Sequence, residues 1–443
     1  MAVSLARSAA FEILLRVERQ DSYAAELLHS DSFSKLSARD HGLATELVMG
    51  VLRWRSWLDE RLAAASSQKV GRLDLEVLTA LRLGVYQMQF LTRVPARAAI
   101  FESVELVKAA RKRSAAPFVN AVLRKTPATL HDVLAQIDNS PDADALAQNS
   151  SHPAWLVTRW SKQFGFDAAR QICRHDQALP ETTIHLHDGH AEPELAAAGI
   201  HLAPGRLLSS ARRVLAGDIA GAKAYRDGRI TIQDEGSQLV ALLAGTGEQI
   251  LDCCAAPGGK TSLLAGRNPN AKVFATELHA QRARLLQRLV HPPNVHVIAA
   301  DARNFPFSTS FDCILADVPC SGTGTLARNP EIKWRLRSED LLDLEGRQVA
   351  ILKSALGRLA RKGRLVYSTC SLEREENEVV VETALSGSAD FKIVDCNEEL
   401  DRLQRADELS WKDTASLVEG AYLRTIPGVH PCDGFFAAVI ERK

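Results

Sequence analysis

Gln249-Ile-Leu-Asp-Cys-Cys254, running into Ala255-Ala256-Pro257-Gly258-Gly259-Lys260-Thr261, decides the fold. A short apolar run stops at a turn of small residues, and the residues after Thr261 suit a helix. The same rhythm recurs downstream. Residues 272–277, 295–301, 311–318 and 364–370 read as further strands, and 261–266, 279–290, 339–361 and 375–384 as helices. Strands and helices alternating at this spacing predict an α/β Rossmann-like domain over residues 236–443, built on a doubly wound, mostly parallel sheet. Such sheets bind ligands beyond the carboxyl ends of their strands, near the point where strand order reverses.

Three ligand classes compete for the glycine-rich turn. A phosphate-binding P-loop needs glycine five positions before Gly259, where Cys254 stands. A dinucleotide fingerprint needs alternating glycines, which Ala255-Ala256-Pro257 does not supply. A nucleoside cofactor with an anionic group fits better. Small residues let the backbone approach it, and free amides at a helix start favour its negative charge. S-adenosylmethionine carries such a carboxylate. Glu277 closes the second strand, where a carboxylate can hold ribose hydroxyls. Asp301 ends the third, within reach of an adenine edge. Lys260 serves either the site or the cap of its own loop.

Upstream the chain changes character. Residues 1–130 read as successive amphipathic helices with almost no strand signal, which predicts a helical bundle. Asp138-Asn-Ser-Pro-Asp142 carries turn chemistry, so residues 131–150 read as a linker. Residues 151–235 read as a small α+β unit, with a helix around 155–164 and strands near 182–187 and 229–233. The formal net charge is zero, yet residues 1–130 carry 19 Lys+Arg against 13 Asp+Glu. A basic segment on a mildly acidic body points to RNA contact. The 46% apolar and 24% charged composition is that of a soluble globular protein. No apolar run is long enough for a membrane span, and the charged start is unlike a secretory signal. Eight cysteines without framework spacing read as reduced thiols in a cytoplasmic protein.

Two of those cysteines stand apart. Asp317-Val-Pro-Cys320-Ser-Gly-Thr-Gly324 follows the fourth strand, and Tyr367-Ser-Thr-Cys370-Ser371 ends the fifth. Both fall where a doubly wound sheet exposes its site. Cys173, Cys253, Cys313, Cys396 and Cys432 read as small buried hydrophobes, and Cys254 as packing beside the turn. No Cys or His spacing suggests a metal. The chemistry that uses a thiolate beside S-adenosylmethionine is methylation at pyrimidine C5, a carbon that becomes nucleophilic once a thiolate adds to C6. Charge developing at N3 then needs a donor, and Asp317 is suitably placed if burial raises its pKa. A second thiol can serve as base when the C5 proton leaves. The residues alone do not say which cysteine takes which role.

These motifs together resemble the RNA 5-methylcytosine methyltransferase family. The likeness lies in AAPGGKT at 255–261, DVPCSGTG at 317–324, IKW at 332–334, STCS at 368–371 and DGFF at 433–436, and Arg39-Asp-His-Gly-Leu-Ala-Thr-Glu-Leu47 with Gly50-Val-Leu-Arg53 resembles NusB. The resemblance implies Cys370 as nucleophile, Cys320 as the residue aiding product release, and Asp317 beside them. It implies cofactor contacts from Cys254, Ala255, Ala256, Pro257, Gly258, Gly259, Lys260, Glu277, Asp301 and Asp317, with no metal. It also implies an RNA substrate, small-subunit ribosomal RNA for this combination of domains, with transfer RNA or a non-catalytic RNA-binding role as alternatives.

An Arg-x-Asn motif of the family is replaced near His185-Leu-His187, which bears on substrate recognition. Arg111-Lys-Arg113, flanked by Lys108 and Arg124-Lys125, is the candidate contact to the RNA backbone. Trp334 is either a core residue or part of the wall of the target pocket.

Overall fold

The computed structural model describes residues 3–20, 22–33, 36–66, 68–127 and 133–443. They fall into two compact units. One comprises Met1–Leu179 with Leu326–Arg335, and the other Pro180–Thr325 with Leu336–Lys443.

The first unit is helical. Leu75–Phe90 is buried on nearly all sides, because its apolar residues are not confined to one stripe. Leu5–Gln20, Ala38–Arg53, Arg55–Ser66, Ala96–Ala109 and Ala116–Lys125 complete the bundle expected from periodicity. The run from Ala38 to Leu62 forms two helices, since Trp54 leaves helical geometry between them. Ser37 caps the first by accepting from Asp40 N at 3.1 Å. Gly50 is needed for space: a Cβ there would sit 1.9 Å from Tyr86 Cζ.

The reading of 131–150 as a linker is corrected. Its first two residues lie outside the described ones, but Val133–Asp138 and Ala143–Asn149 are helices. The polar turn lies between them, and Asp142 caps the second by accepting from Ala145 N at 2.8 Å. Val133, Ile137, Leu146 and Ala147 are buried, apolar anchors too sparse to register as a periodic pattern. The unit expected over 151–235 is divided as well. Helices Ala154–Phe164 and Phe166–Gln177 belong with the helical unit, and only the part from Pro180 onward, strands with the short helices Ala191–Ala197 and Lys223–Arg226, belongs with the second.

Ten residues from the distant half of the chain complete the helical unit. Within Leu326–Arg335, Lys333 Nζ donates to Arg53 O at 2.8 Å and Ser151 O at 2.9 Å. Trp334 Nε1 donates to Leu52 O at 2.7 Å, and Arg53 Nη2 to Ala327 O at 3.0 Å. Lys333 lies at the carbonyl ends of two helices, where a cation is favoured. Burial nonetheless pushes its pKa down to about 7.

The second unit holds two sheets. Strands β1 (Thr182–Leu186), β2 (His201–Pro204), β3 (Ala211–Ala216) and β4 (Ile230–Ile232) form an antiparallel sheet in the order β2-β3-β1-β4. The larger sheet contains β5 (Gln249–Asp252), β6 (Lys272–Glu277), β7 (Val295–Ala299), β8 (Phe311–Asp317), β9 (Leu359–Thr369), β10 (Phe391–Val394), β11 (Val418–Glu419), β12 (Tyr422–Thr425) and β13 (Phe435–Arg442). Its order is β11-β12-β13-β9-β8-β5-β6-β7, with β10 beside β13. Strands β5 to β9 run parallel to one another, and β13 runs antiparallel to β9.

Side chains alternate between the two faces of this sheet. Val366 and Ala437 join the core that contains the helix Glu235–Ala244, while Leu365, Tyr367 and Phe436 join the core that contains Asp340–Leu356. Helices therefore cover both faces. The first strand of the domain, β5, lies between β6 and β8, which makes its carboxyl end the switch point.

Candidate active site

The glycine-rich turn leaves β5 at that switch point. Gly258 has φ +116°, and a Cβ on it would meet Val290 Cγ2 at 2.5 Å and Leu286 Cδ1 at 2.8 Å. Glycine is required there on both counts. The helix Gly259–Arg267 begins immediately after, with its amides at the turn. A cavity of about 410 Å³, in the ordinary size range of small-molecule sites, is lined by residues 254–260 together with Asp252, Asp317, Gln233 and β4.

Among the described residues, two buried oxygens in the lining of this cavity find no hydrogen-bond partner: Asp252 Oδ1 and Gln233 Oε1. The other Asp252 oxygen accepts from Thr261 Oγ1 at 2.7 Å. Burial, with the nearby charge of Asp317, pushes the Asp252 carboxyl up to about 7 against the opposing Thr261 bond and Lys260 charge. Unmet acceptors in a buried wall are costly unless a ligand donor meets them. The ammonium group of S-adenosylmethionine is such a donor, and the helix amides suit its carboxylate. The residues present fit this cofactor. Neither Asp252 nor Gln233 was among the expected contacts. An aspartate closing an apolar strand before the turn was the visible signal for the first; nothing local marked the second.

The expected acids are distributed unevenly. Asp317 lines the cavity, where Lys260 Nζ donates to its Oδ2 at 2.8 Å and Ser368 Oγ to its Oδ1 at 2.7 Å. Lys260 is therefore tied to a site carboxylate rather than to its own loop. Burial works to lower its pKa, but Asp317 and the charge of Cys370 outweigh that and hold it above the ordinary value. Glu277 and Asp301 stand at the carboxyl side of β6 and β7 but do not line the cavity. Glu277 Oε1 accepts from His279 N at 3.0 Å, and Asp301 accepts from the Arg303 guanidinium at 2.7 Å, which lowers the Asp301 pKa.

The two cysteine loops meet. Asp317 on β8 pairs with Ser368 on β9, so the loops leave adjacent parallel strands side by side. Gly324 N donates to Cys370 O at 2.9 Å, and Cys320 Sγ lies 3.4 Å from Cys370 Sγ. The hydrogen bond with Cys370 and burial push the Cys320 thiol well up, reinforced by the charges of Cys370, Glu376 and Asp317. Cys173, Cys253, Cys313, Cys396 and Cys432 are buried, with thiol pKa values raised first by desolvation.

The remaining candidates lie elsewhere. Trp334 sits in the helical unit, held by its bond to Leu52 O. His185 and His187 are occupied by Gln238 and Thr231. Arg111, Arg113, Arg124 and Lys125 are exposed on the helical unit, while Lys112 pairs with Asp74 at 2.8 Å. Among the described residues no His, Cys, Asp and Glu group could hold a metal, and no helix is long and apolar enough to cross a membrane.

Known proteins share this organisation. The description "16S rRNA methyltransferase RsmB/F" matches residues 239–441, and the NusB family matches residues 4–127. The "Probable ribosomal RNA small subunit methyltransferase B" of Bacillus subtilis (strain 168) is 34% identical over 99% of this chain and 98% of its own. The "Ribosomal RNA small subunit methyltransferase B" of Erwinia tasmaniensis is 34% identical over 81% of this chain and 84% of its own. A methyltransferase homolog protein from Pyrococcus horikoshii, solved by crystallography, is 25% identical with a TM-score of 0.56, covering 69% of this chain and all of its own. With paired thiols beside a nucleoside-sized cavity and a NusB-type helical segment ahead of them, the chain belongs to the 16S rRNA methyltransferase RsmB/F family.

Proposed function

We propose that the chain methylates C5 of a cytosine in small-subunit ribosomal RNA, with Cys370 as nucleophile. The observation that carries this reading is the 3.4 Å pairing of Cys320 and Cys370 beside the Lys260–Asp317 ion pair. Residues 254–260 with Asp252 and Gln233 would hold S-adenosylmethionine; Glu277 and Asp301 lie outside that lining, and the family resemblance alone is the ground on which they would complete the adenosine end. When bound, this cofactor supplies an electrophilic methyl group.

The protein's own groups account for the rest. Cys370 Sγ, as thiolate, forms a bond to C6 of the base, and the C5–C6 π electrons move toward N3. Asp317 already accepts on both oxygens, so the Lys260 ammonium beside it is the group that meets the negative charge at N3. In the resting pair Cys320 is the protonated thiol. Once Cys370 is bound to the base, the largest influence keeping Cys320 protonated is gone. Cys320 then loses its proton to solvent and takes the C5 proton as the Cys370–C6 bond breaks and the double bond re-forms. The target base must be unstacked to reach these sulfurs. The exposed Arg111, Arg113, Arg124 and Lys125 supply backbone contacts. Acting on ribosomal RNA, the protein would work in the cytoplasm.

The test is methyl transfer from labelled cofactor to naked small-subunit ribosomal RNA and, separately, to transfer RNA, with bisulfite sequencing of both. A single modified cytosine in the ribosomal RNA supports the reading. Modification of transfer RNA alone would replace the substrate, and cofactor binding without transfer to either would favour a non-catalytic RNA-binding role.

A further inference from the structure

The carboxylate of Glu376 lies fully buried in the short turn Arg374–Glu376 that follows the Cys370 loop. Its Oε1 accepts from Ser321 N at 2.7 Å and from Gln348 Nε2 at 2.9 Å. Its Oε2 accepts from the hydroxyls of Ser321 and Ser371, which are 3.0 Å apart. Ser321 directly follows Cys320, and Ser371 directly follows Cys370. Gln348 Nε2 also donates to Pro319 O at 3.0 Å, the residue before Cys320. One carboxylate thus touches the neighbours of both sulfurs.

The geometry points to Glu376 as the positioning residue that clamps the Cys320 loop onto the Cys370 loop and sets the spacing of the two sulfurs. This deepens the reading of the cysteine pair given above and rests on it for the roles of the thiols. A buried carboxylate is a costly way to join two loops if packing were its whole task, since apolar residues can do that as well. Its negative charge has a further effect: it is one of the influences holding Cys320 as a thiol. Glu376 touches neither sulfur and acts through the serines beside them.

Two variants separate charge from clamp. In Glu376→Gln the amide can donate to the two serine hydroxyls, which rotate to accept, so the loops stay joined while the charge is lost. In Glu376→Ala both are lost. The first readout is the pH dependence of iodoacetamide alkylation at Cys320, followed by peptide mapping in a Cys370→Ser background. Glu376→Gln should raise the rate at pH 8 severalfold, because one of the negative charges that disfavour the Cys320 thiolate is gone. An unchanged profile in a folded variant overturns the role of the charge and with it the proposal.

The second readout is the covalent enzyme–RNA adduct on a denaturing gel. Glu376→Ala should accumulate adduct severalfold, as Cys320→Ala does, with cofactor affinity unchanged. Adduct with Cys320→Ala but none with Glu376→Ala overturns the clamp. If Cys320→Ala also gives none, the release role of Cys320 fails, and the alkylation profile alone decides for or against Glu376.

Discussion

Lys260 Nζ donates to Asp317 Oδ2 across 2.8 Å, tying the helix that follows the glycine-rich turn to the strand end that leads into the Cys320 loop. The ammonium is held protonated despite burial, because Asp317 and Cys370 face it. In the proposed reaction it would be the fixed positive charge that meets the pyrimidine ring as the ring gains electrons. Lys260→Met should lower kcat by about a hundredfold, the usual scale for removing one preorganised donor, in single-turnover assays with saturating RNA. An unchanged kcat would assign the charge stabilisation to another group.

Asp252 offers a pH signature of cofactor binding. Its carboxyl, pushed up to about 7 by burial, is protonated below that pH and charged above it. If its free Oδ1 receives the cofactor ammonium, affinity should rise by about tenfold between pH 6 and 8. Asp252→Asn should bind weakly and lose the dependence. Calorimetry with S-adenosylmethionine at the two pH values reads this directly, and equal slopes in both proteins would place the ammonium elsewhere.

The parallel strands, the switch point and both cysteine loops were legible because each depends on local signals: apolar runs, glycines and a motif at a strand end. The helices at 133–138 and 143–149 were not, since a polar turn dominates a window that holds only four buried apolar residues. Antiparallel β13 was noticed as DGFF, but its place beside β9 is a long-range pairing without local trace. The same limit hid Gln233, Gln348 and Glu376, whose meaning lies in partners far along the chain. Lys333 and Trp334 were visible as a motif, yet only folding shows that their segment completes the helical unit.

Lys333 gives the helical unit a distinctive pH dependence. Its folded-state pKa of about 7 lies below the ordinary 10.5, so between those values the unfolded chain binds more protons and stability rises with pH. Buried Cys173, pushed up to about 12, pulls the other way once unfolded thiols begin to ionise near 9. The window is therefore about pH 7 to 9, with a slope of up to about 1.4 kcal/mol per pH unit. Urea unfolding at pH 7, 8 and 9 should show that slope in the parent chain and its loss in Lys333→Met. An identical slope in both would mean that the lysine titrates normally.

Cys370 carries the whole scheme, and trapping its bond to RNA tests it most directly. Cys320→Ala incubated with substrate RNA and S-adenosylmethionine should give a slow band on a denaturing gel, with the RNA fragment mapped by mass spectrometry to the Cys370 peptide. Cys320→Ala combined with Cys370→Ala should give none, while binding cofactor as the parent does. An adduct on another residue, or methylation that survives Cys370→Ala, would contradict the account.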